Sequence, residues 1–298
     1  MTIGQLLQWG AEALERKGIE SQELESEILL SFVFKCDRAR LFIRNSEQVS
    51  KNLELQFKRA VRQRQTRQPW QYITGETEFY GLKIKVNKNA LIPRPETELL
   101  AEAVIKRWKP EWSKVLDIGA GSGAISIALA KNIPGIKIWA SEISPGAGAL
   151  AKRNVASHGL SRRVKIVKAD IFPDLIQRYD CIVSNPPYIP SGQLKTLQRE
   201  VSLYEPWQAL DGGRDGLKFY RLISKRLKTY LNPGGLLALE IGQGQGPQVR
   251  QLLKAFNPGL EIEIIKDYSN IQRIVLGHSQ TASLANQDRL LAVTKAQR

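Results

Sequence analysis

LDIGAGSGA (116–124) decides the fold. It ends a short apolar run that starts at Lys114, and it opens a stretch, 124–131, that reads as helix. Glycines at 119, 121 and 123 permit a tight turn and close backbone approach to a ligand. Strand, glycine turn and helix form the first unit of a chain that keeps alternating. IKIWAS (136–141), VKIV (164–167) and CIVS (181–184) read as strands, and 148–158 as a helix. A helix over 217–230 is expected to end at Asn232-Pro233-Gly234-Gly235, followed by a strand, LLALEIG (236–242), and a helix over 248–256. LEIEIIKDY (260–268) and IQRIVLG (271–277) are separated by only Ser269-Asn270, so one edge strand should run antiparallel. This order is that of a doubly wound α/β sheet.

Upstream the texture differs. Leu6, Leu7, Ala11 and Leu14 recur at helical spacing. Ser21 is placed to cap a second helix carrying Leu24, Ile28, Leu29 and Phe32. Ser50 is placed to cap a third, with Leu53, Phe57, Ala60 and Val61 on its apolar stripe. Residues 1–70 therefore read as a small helical bundle. A linker, 71–98, follows: Phe79-Tyr80-Gly81 ahead of Leu82, Ile84 and Val86 reads as a hairpin. Pro93 and Pro95 argue against regular structure there, with a helix restarting at Glu96. The sheet domain spans 99–278, and the polar stretch 279–298 is expected to fray.

Composition bounds the class. Of 298 residues, 42% are apolar and 24% charged, which excludes a disordered or low-complexity chain. Cys36 and Cys181 are too few for a disulfide framework or a thiolate zinc site, and no metal site is expected. A reduced cytoplasmic setting follows. The N-terminus lacks a signal-peptide pattern, and no apolar run is long enough to span a bilayer. The net charge of +15 suits a polyanionic partner or merely solubility, and the basic run 51–67 leaves the same choice open.

Glu142 ends the second strand, 25 residues beyond Asp117, where a carboxylate accepts hydrogen bonds from both hydroxyls of a ribose. Loop and acid together point to an adenosine-containing cofactor. Gly119, Gly121 and Ala124 also satisfy the dinucleotide pattern, so S-adenosylmethionine (SAM), NAD and a plain structural turn stay open. The antiparallel C-terminal edge favours the first by analogy of fold. Asp170, ending the third strand, is placed to bond an adenine amino group or to cap a turn.

SNPPYIP (184–190) follows the fourth strand at the carboxyl edge, where such sheets bind ligands. Asn185 offers a carbonyl acceptor, Pro186 and Pro187 stiffen the loop, and Tyr188 offers a flat face. The set suits a planar –NH2 group. Two acceptors on its hydrogens localise the nitrogen lone pair and strengthen as positive charge develops. No strong general base is needed, in keeping with only two histidines, His158 and His278, both outside these loops.

Asn-Pro-Pro-Tyr after a glycine-rich SAM loop is similar to the amino-methyltransferases. PWQYITG (69–75), FYGLKIKV (79–86), LIPRPETE (91–98) and EPWQALDGGRDGL (205–217) narrow the match. Over residues 1–277 the chain resembles the HemK/PrmC family of peptide chain release factor N5-glutamine methyltransferases. The resemblance implies a class I SAM-dependent methyltransferase, α/β with a seven-stranded sheet, behind a helical domain that grips the release factor. It implies SAM held by Asp117, Gly119, Ala120, Gly121, Ser122, Gly123, Glu142, Asp170, Ile171 and Asn185, with S-adenosylhomocysteine as product. Asn185 with Pro186 would grip the target amide, Tyr188 would stack on that amide and Pro187 would stiffen the loop. Ile171 stands where the family often has an aromatic residue. The implied substrate is the glutamine of a Gly-Gly-Gln loop in class I release factors, met by a monomer with no nucleic acid or membrane. Methylation of a nucleic-acid base amine is the alternative.

Overall fold

The computed structural model describes residues 1–280. The expected fraying of 279–298 thus falls almost wholly outside the described residues. In chain order the elements are α1 (Ile3–Glu15), α2 (Gln22–Phe34), α3 (Arg38–Ile43), α4 (Lys51–Gln65), α5 (Trp70–Thr74), β1 (Glu76–Phe79), β2 (Leu82–Lys85), α6 (Pro95–Lys106), β3 (Lys114–Ile118), α7 (Ala124–Asn132), β4 (Lys137–Glu142), α8 (Pro145–Ser157), β5 (Val164–Lys168), β6 (Tyr179–Ser184), α9 (Arg199–Tyr204), α10 (Lys218–Tyr230), β7 (Leu231–Glu240), α11 (Gly246–Phe256), β8 (Glu261–Lys266) and β9 (Gln272–His278). They fall into two units.

The first unit comprises Met1–Glu76, Val86–Lys88 and Leu197–Glu205. Thr2 closes a capping box with Gln5 at the start of α1, and Ser50 caps α4 through Leu53 N–H. Ser21 occupies the N-cap position of α2 without a side-chain hydrogen bond; Glu23 and Glu25 in the first turn favour the helix dipole instead. Leu6, Leu14, Leu29, Leu30, Phe57 and Val61 form the core. Helical spacing puts Leu24 and Phe32 on the buried stripe of α2, but both are exposed, because Leu29 and Leu30 fill the space against α1 and α4. Helix α5, Trp70–Thr74, opens the segment read as a linker.

Sequence patterning carries no hint of the third segment. Arg64, buried on α4, pairs with Glu25 of α2 and with Glu200 of α9, the latter at 3.0 Å. Arg67 reaches the same Glu200 at 3.2 Å, and Tyr204 Oη donates to the Thr66 carbonyl at 2.8 Å. Removing one member of a buried ion pair strands the other charges, at a cost of about 3–5 kcal/mol. Arg64→Ala should therefore shift urea unfolding of this unit by that order. A change under about 1 kcal/mol would mean the pairs behave as surface pairs.

The second unit holds the sheet, in the order β5-β4-β3-β6-β7-β9-β8, with β9 antiparallel to both neighbours. This is the expected doubly wound sheet with an antiparallel final hairpin, but the strand that runs against the others, β9, lies inside the edge strand β8. Tyr179, Ile182, Tyr220, Leu227, Leu237 and Val275 are among its core residues. Three local details differ from the sequence reading. Pro95 is the first residue of α6, because a proline at N1 loses no helical hydrogen bond. Helix α8 likewise starts at Pro145, capped by Ser144. Strand β7 takes up Asn232-Pro233-Gly234-Gly235, absorbed by a register shift between Tyr179 and Cys181.

Register positions the site. Ile118 pairs with Ser184 at the carboxyl ends of β3 and β6, and Ser184 Oγ donates to the Ile118 carbonyl at 2.8 Å. The next residues, Gly119 and Asn185, therefore leave the sheet side by side. The chain order runs β3 to β4 on one side and reaches β6 on the other, so this is the topological switch point.

Candidate active site

A cleft opens at that switch point, within the second unit. Gly119, Gly121 and Gly123 all adopt left-handed φ, at 74°, 56° and 83°. At Gly123 the turn also brings the chain against α8, where an added Cβ would lie 3.4 Å from that of Ala151. Glu142 fastens this loop: its Oε2 accepts from Gly121 N–H and its Oε1 from Ser144 N–H, both at 2.8 Å. Each carboxylate oxygen retains a lone pair, and the residue lines the cleft. The stitch from acid to glycine loop is not legible in the sequence.

At the far end, Ile143 is 54% exposed and also lines the cleft. Asp170 is exposed and Ile171 half-buried there, on a tight turn closed by Phe172 N–H to the Asp170 carbonyl at 2.9 Å. Ile171 takes φ of 68°, a strained state for a β-branched residue. Ser141 Oγ holds its carbonyl at 2.6 Å.

Of the expected residues, Gly119, Ala120, Gly121, Ser122, Glu142, Asp170, Ile171, Asn185, Pro186 and Pro187 line one cleft. Asp117, Gly123 and Tyr188 lie outside its lining. Asp117 is fully buried and accepts from Ser126 Oγ at 2.6 Å; burial pushes its carboxyl up to about 6, against the pull of Ser126. This bond ties β3 to α7. Tyr188 packs on the sheet core with its phenol 3.4 Å from Glu240 Oε1, and burial raises its pKa. It sits behind the loop rather than in the cleft.

Four residues that pattern alone does not single out brace this loop. Asn185 Nδ2 donates to Thr97 Oγ1 of α6 at 3.0 Å. Gln245 Nε2 donates to the Tyr188 carbonyl at 2.9 Å, and Glu240 meets the Tyr188 phenol. Gly212 lies so close that an added Cβ would stand 2.7 Å from Tyr188 Cα. The glycines of EPWQALDGGRDGL thus permit backbone contact with the Asn-Pro-Pro-Tyr loop. Gly212→Ala should displace that loop and lower turnover by about 10²-fold, with SAM affinity unchanged by calorimetry. Equal losses of both would place Gly212 elsewhere in the account.

The cleft fits SAM: a left-handed loop, a carboxylate with free lone pairs and an apolar far end line one wall. Comparison with known proteins agrees. The family model described as PrmC N-terminal domain matches residues 5–75, and that described as methyltransferase small domain matches 95–202. A release factor glutamine methyltransferase of Geobacter sulfurreducens is 46% identical over 249 residues, 83% of this chain and 87% of that protein. One of Moorella thermoacetica is 39% identical over 280 residues, 93% of this chain and 99% of that protein. Among solved structures, the hMettl16 catalytic domain in complex with a MAT2A 3′UTR hairpin superposes with a TM-score of 0.54 at 19% identity, covering 68% of this chain and 77% of that one. That last likeness concerns fold alone.

Fold and cleft together define a class I SAM-dependent methyltransferase. Within that class, the chain belongs to the release factor glutamine methyltransferase family.

Proposed function

We propose that the chain methylates the side-chain amide nitrogen, N5, of the glutamine in the Gly-Gly-Gln motif of class I release factors. The observation that carries this is the Asn185 amide at the cleft, anchored through Nδ2 on Thr97 so that Oδ1 is left for an incoming –NH2.

Bound SAM supplies an electrophilic methyl on a sulfonium. The glycine loop and Glu142 would hold its aminoacyl and ribose parts, with Asp170, Ile171 and Ile143 at the adenine. Asn185 Oδ1 and the Pro186 carbonyl accept the two hydrogens of the glutamine amide. Those bonds localise the nitrogen lone pair and strengthen as the nitrogen gains positive charge. Placement in line with the methyl contributes several kcal/mol more. The product nitrogen sheds its proton after transfer, so no histidine is needed; His158 contacts the Lys83 carbonyl and His278 pairs with Glu263.

The helical unit supplies grip for the release factor. Its basic run is partly consumed internally: Arg64 and Arg67 on Glu25 and Glu200, Lys51 and Lys58 on Glu54. Of that run, Arg59 and Arg62 remain exposed outside these pairs, too few by themselves to follow a nucleic-acid backbone. The enzyme works as a cytoplasmic monomer in this reading. Among the described residues no helix is long and apolar enough to cross a membrane. A release factor whose motif glutamine is changed to glutamate should accept no methyl, while the unaltered factor gains one; methylation of both refutes the assignment.

A further inference from the structure

The far end of the cleft is closed by a three-residue turn, Asp170-Ile171-Phe172, in which Phe172 N–H donates to the Asp170 carbonyl at 2.9 Å. With Ile171 at φ of 68° between them, this is the γ-turn of positive φ, the rare and strained form. Isoleucine suits it poorly, because a branched Cβ crowds the backbone at positive φ. One side of the turn is pinned by packing: Phe172 is buried, its ring stacked on that of Tyr230 at 4.3 Å between centroids. The strained residue itself is held by a side chain from another strand. Ser141 Oγ donates to the Ile171 carbonyl at 2.6 Å. The Asp117 carbonyl also lies in reach, at 3.4 Å, but a hydroxyl carries one hydrogen and the shorter contact takes it.

Ser141 is 1% exposed, on β4 immediately before Glu142. Its backbone carbonyl accepts from Gly119 N–H at 2.9 Å and from Ala120 N–H at 3.0 Å. One residue is therefore tied through its backbone to the glycine loop and through its side chain to the Asp170 turn. Gly119, Ala120, Ser141, Asp170 and Ile171 all line the cleft. The two ties separate on substitution. Alanine keeps the carbonyl that holds the glycine loop and loses the hydrogen that holds Ile171.

We infer that Ser141 is a positioning residue for the cofactor: its hydroxyl holds the 170–172 turn in the form that sets Asp170 and Ile171 at the adenine. The inference rests on the adenine lying at this end of the cleft.

The consequence is local. An exposed carboxylate at Asp170 accepts a hydrogen from the exocyclic amino group of the adenine. Without the Ser141 hydroxyl, Ile171 returns to negative φ. That rotates the peptide units on either side of it and carries the Asp170 carboxylate out of place. The glycine loop stays where it is, since Gly119 and Ala120 bond the backbone of residue 141 and not its side chain. The loss therefore falls on recognition of the adenine amino group, not on methyl transfer.

The test is calorimetry of two ligands, S-adenosylhomocysteine and S-inosylhomocysteine, the second carrying an oxygen in place of the adenine amino group. Wild type should bind the first at least about tenfold more tightly, as expected of a hydrogen bond to a charged acceptor. Ser141→Ala should weaken S-adenosylhomocysteine about fivefold to tenfold and leave S-inosylhomocysteine within about twofold. With the release factor as substrate, KM for SAM should rise while kcat at saturating SAM stays within about twofold. Ser141→Cys keeps a weaker donor and should fall between wild type and Ser141→Ala; if Ser141→Ala does not fold, Ser141→Cys decides alone. Ile171→Gly takes positive φ without strain, so in that background Ser141→Ala should cost less. Equal weakening of both ligands by Ser141→Ala, which a merely structural role would give, overturns the inference. So does no weakening of either, a kcat lost at saturating SAM, or the same cost in the Ile171→Gly background. A wild type that binds the two ligands alike would instead overturn the placement of the adenine at Asp170.

Discussion

Replacing Asn185 with alanine is expected to lower kcat by about 10²–10³-fold, the loss seen when one acceptor or donor aimed at developing charge is removed. In the proposed reading the side chain would meet the acceptor amide and not the sulfonium, and its Nδ2 is engaged by Thr97. SAM affinity, read by calorimetry, should stay within about threefold. Turnover and affinity thus separate. Parallel loss of both would mean that Asn185 serves the cofactor.

Glu142→Ala should do the converse. Each hydrogen bond from a ribose hydroxyl to a charged acceptor contributes about 1.5–3 kcal/mol, so losing two weakens SAM binding by about 10²-fold or more. The same carboxylate also ties down Gly121 and Ser144. Its removal loosens the glycine loop, so Glu142→Gln should remain well short of wild type: one amide oxygen cannot replace two carboxylate oxygens. An unchanged dissociation constant in Glu142→Ala would remove the ribose from this part of the cleft.

What could be read from the chain divides by range. The glycine loop, β3, β4, β6 and the β8–β9 edge announce themselves because period, glycines and a short turn are local signals. Glu142 and Asn185 stand out because one ends a strand and the other follows one at the edge where such sheets bind ligands. Other features depend on contacts between distant residues. Thr97 and Glu240 lie within quoted motifs, LIPRPETE and LLALEIG, yet their meaning comes only when α6, β7 and the 185–188 loop converge. Tyr188 reads as an exposed flat face; Glu240 and the core draw it behind the loop. Helix α9 carries no strong apolar period, and it is the ion pairs with Arg64 and Arg67 and the Tyr204 hydrogen bond to Thr66 that tie Leu197–Glu205 to the helical unit. Burial misled at Leu24 and Phe32, where a helical stripe wider than the available core left both in solvent.

The central claim is that this cleft activates a carboxamide nitrogen for methyl transfer. Its most direct test offers methyl-labelled SAM to the purified enzyme with a class I release factor, tRNA, ribosomal RNA and DNA in parallel, followed by mapping of the labelled residue. Label on N5 of the Gly-Gly-Gln glutamine, with none on the nucleic acids, is the predicted result. Label on a base amine, with the release factor untouched, would contradict it.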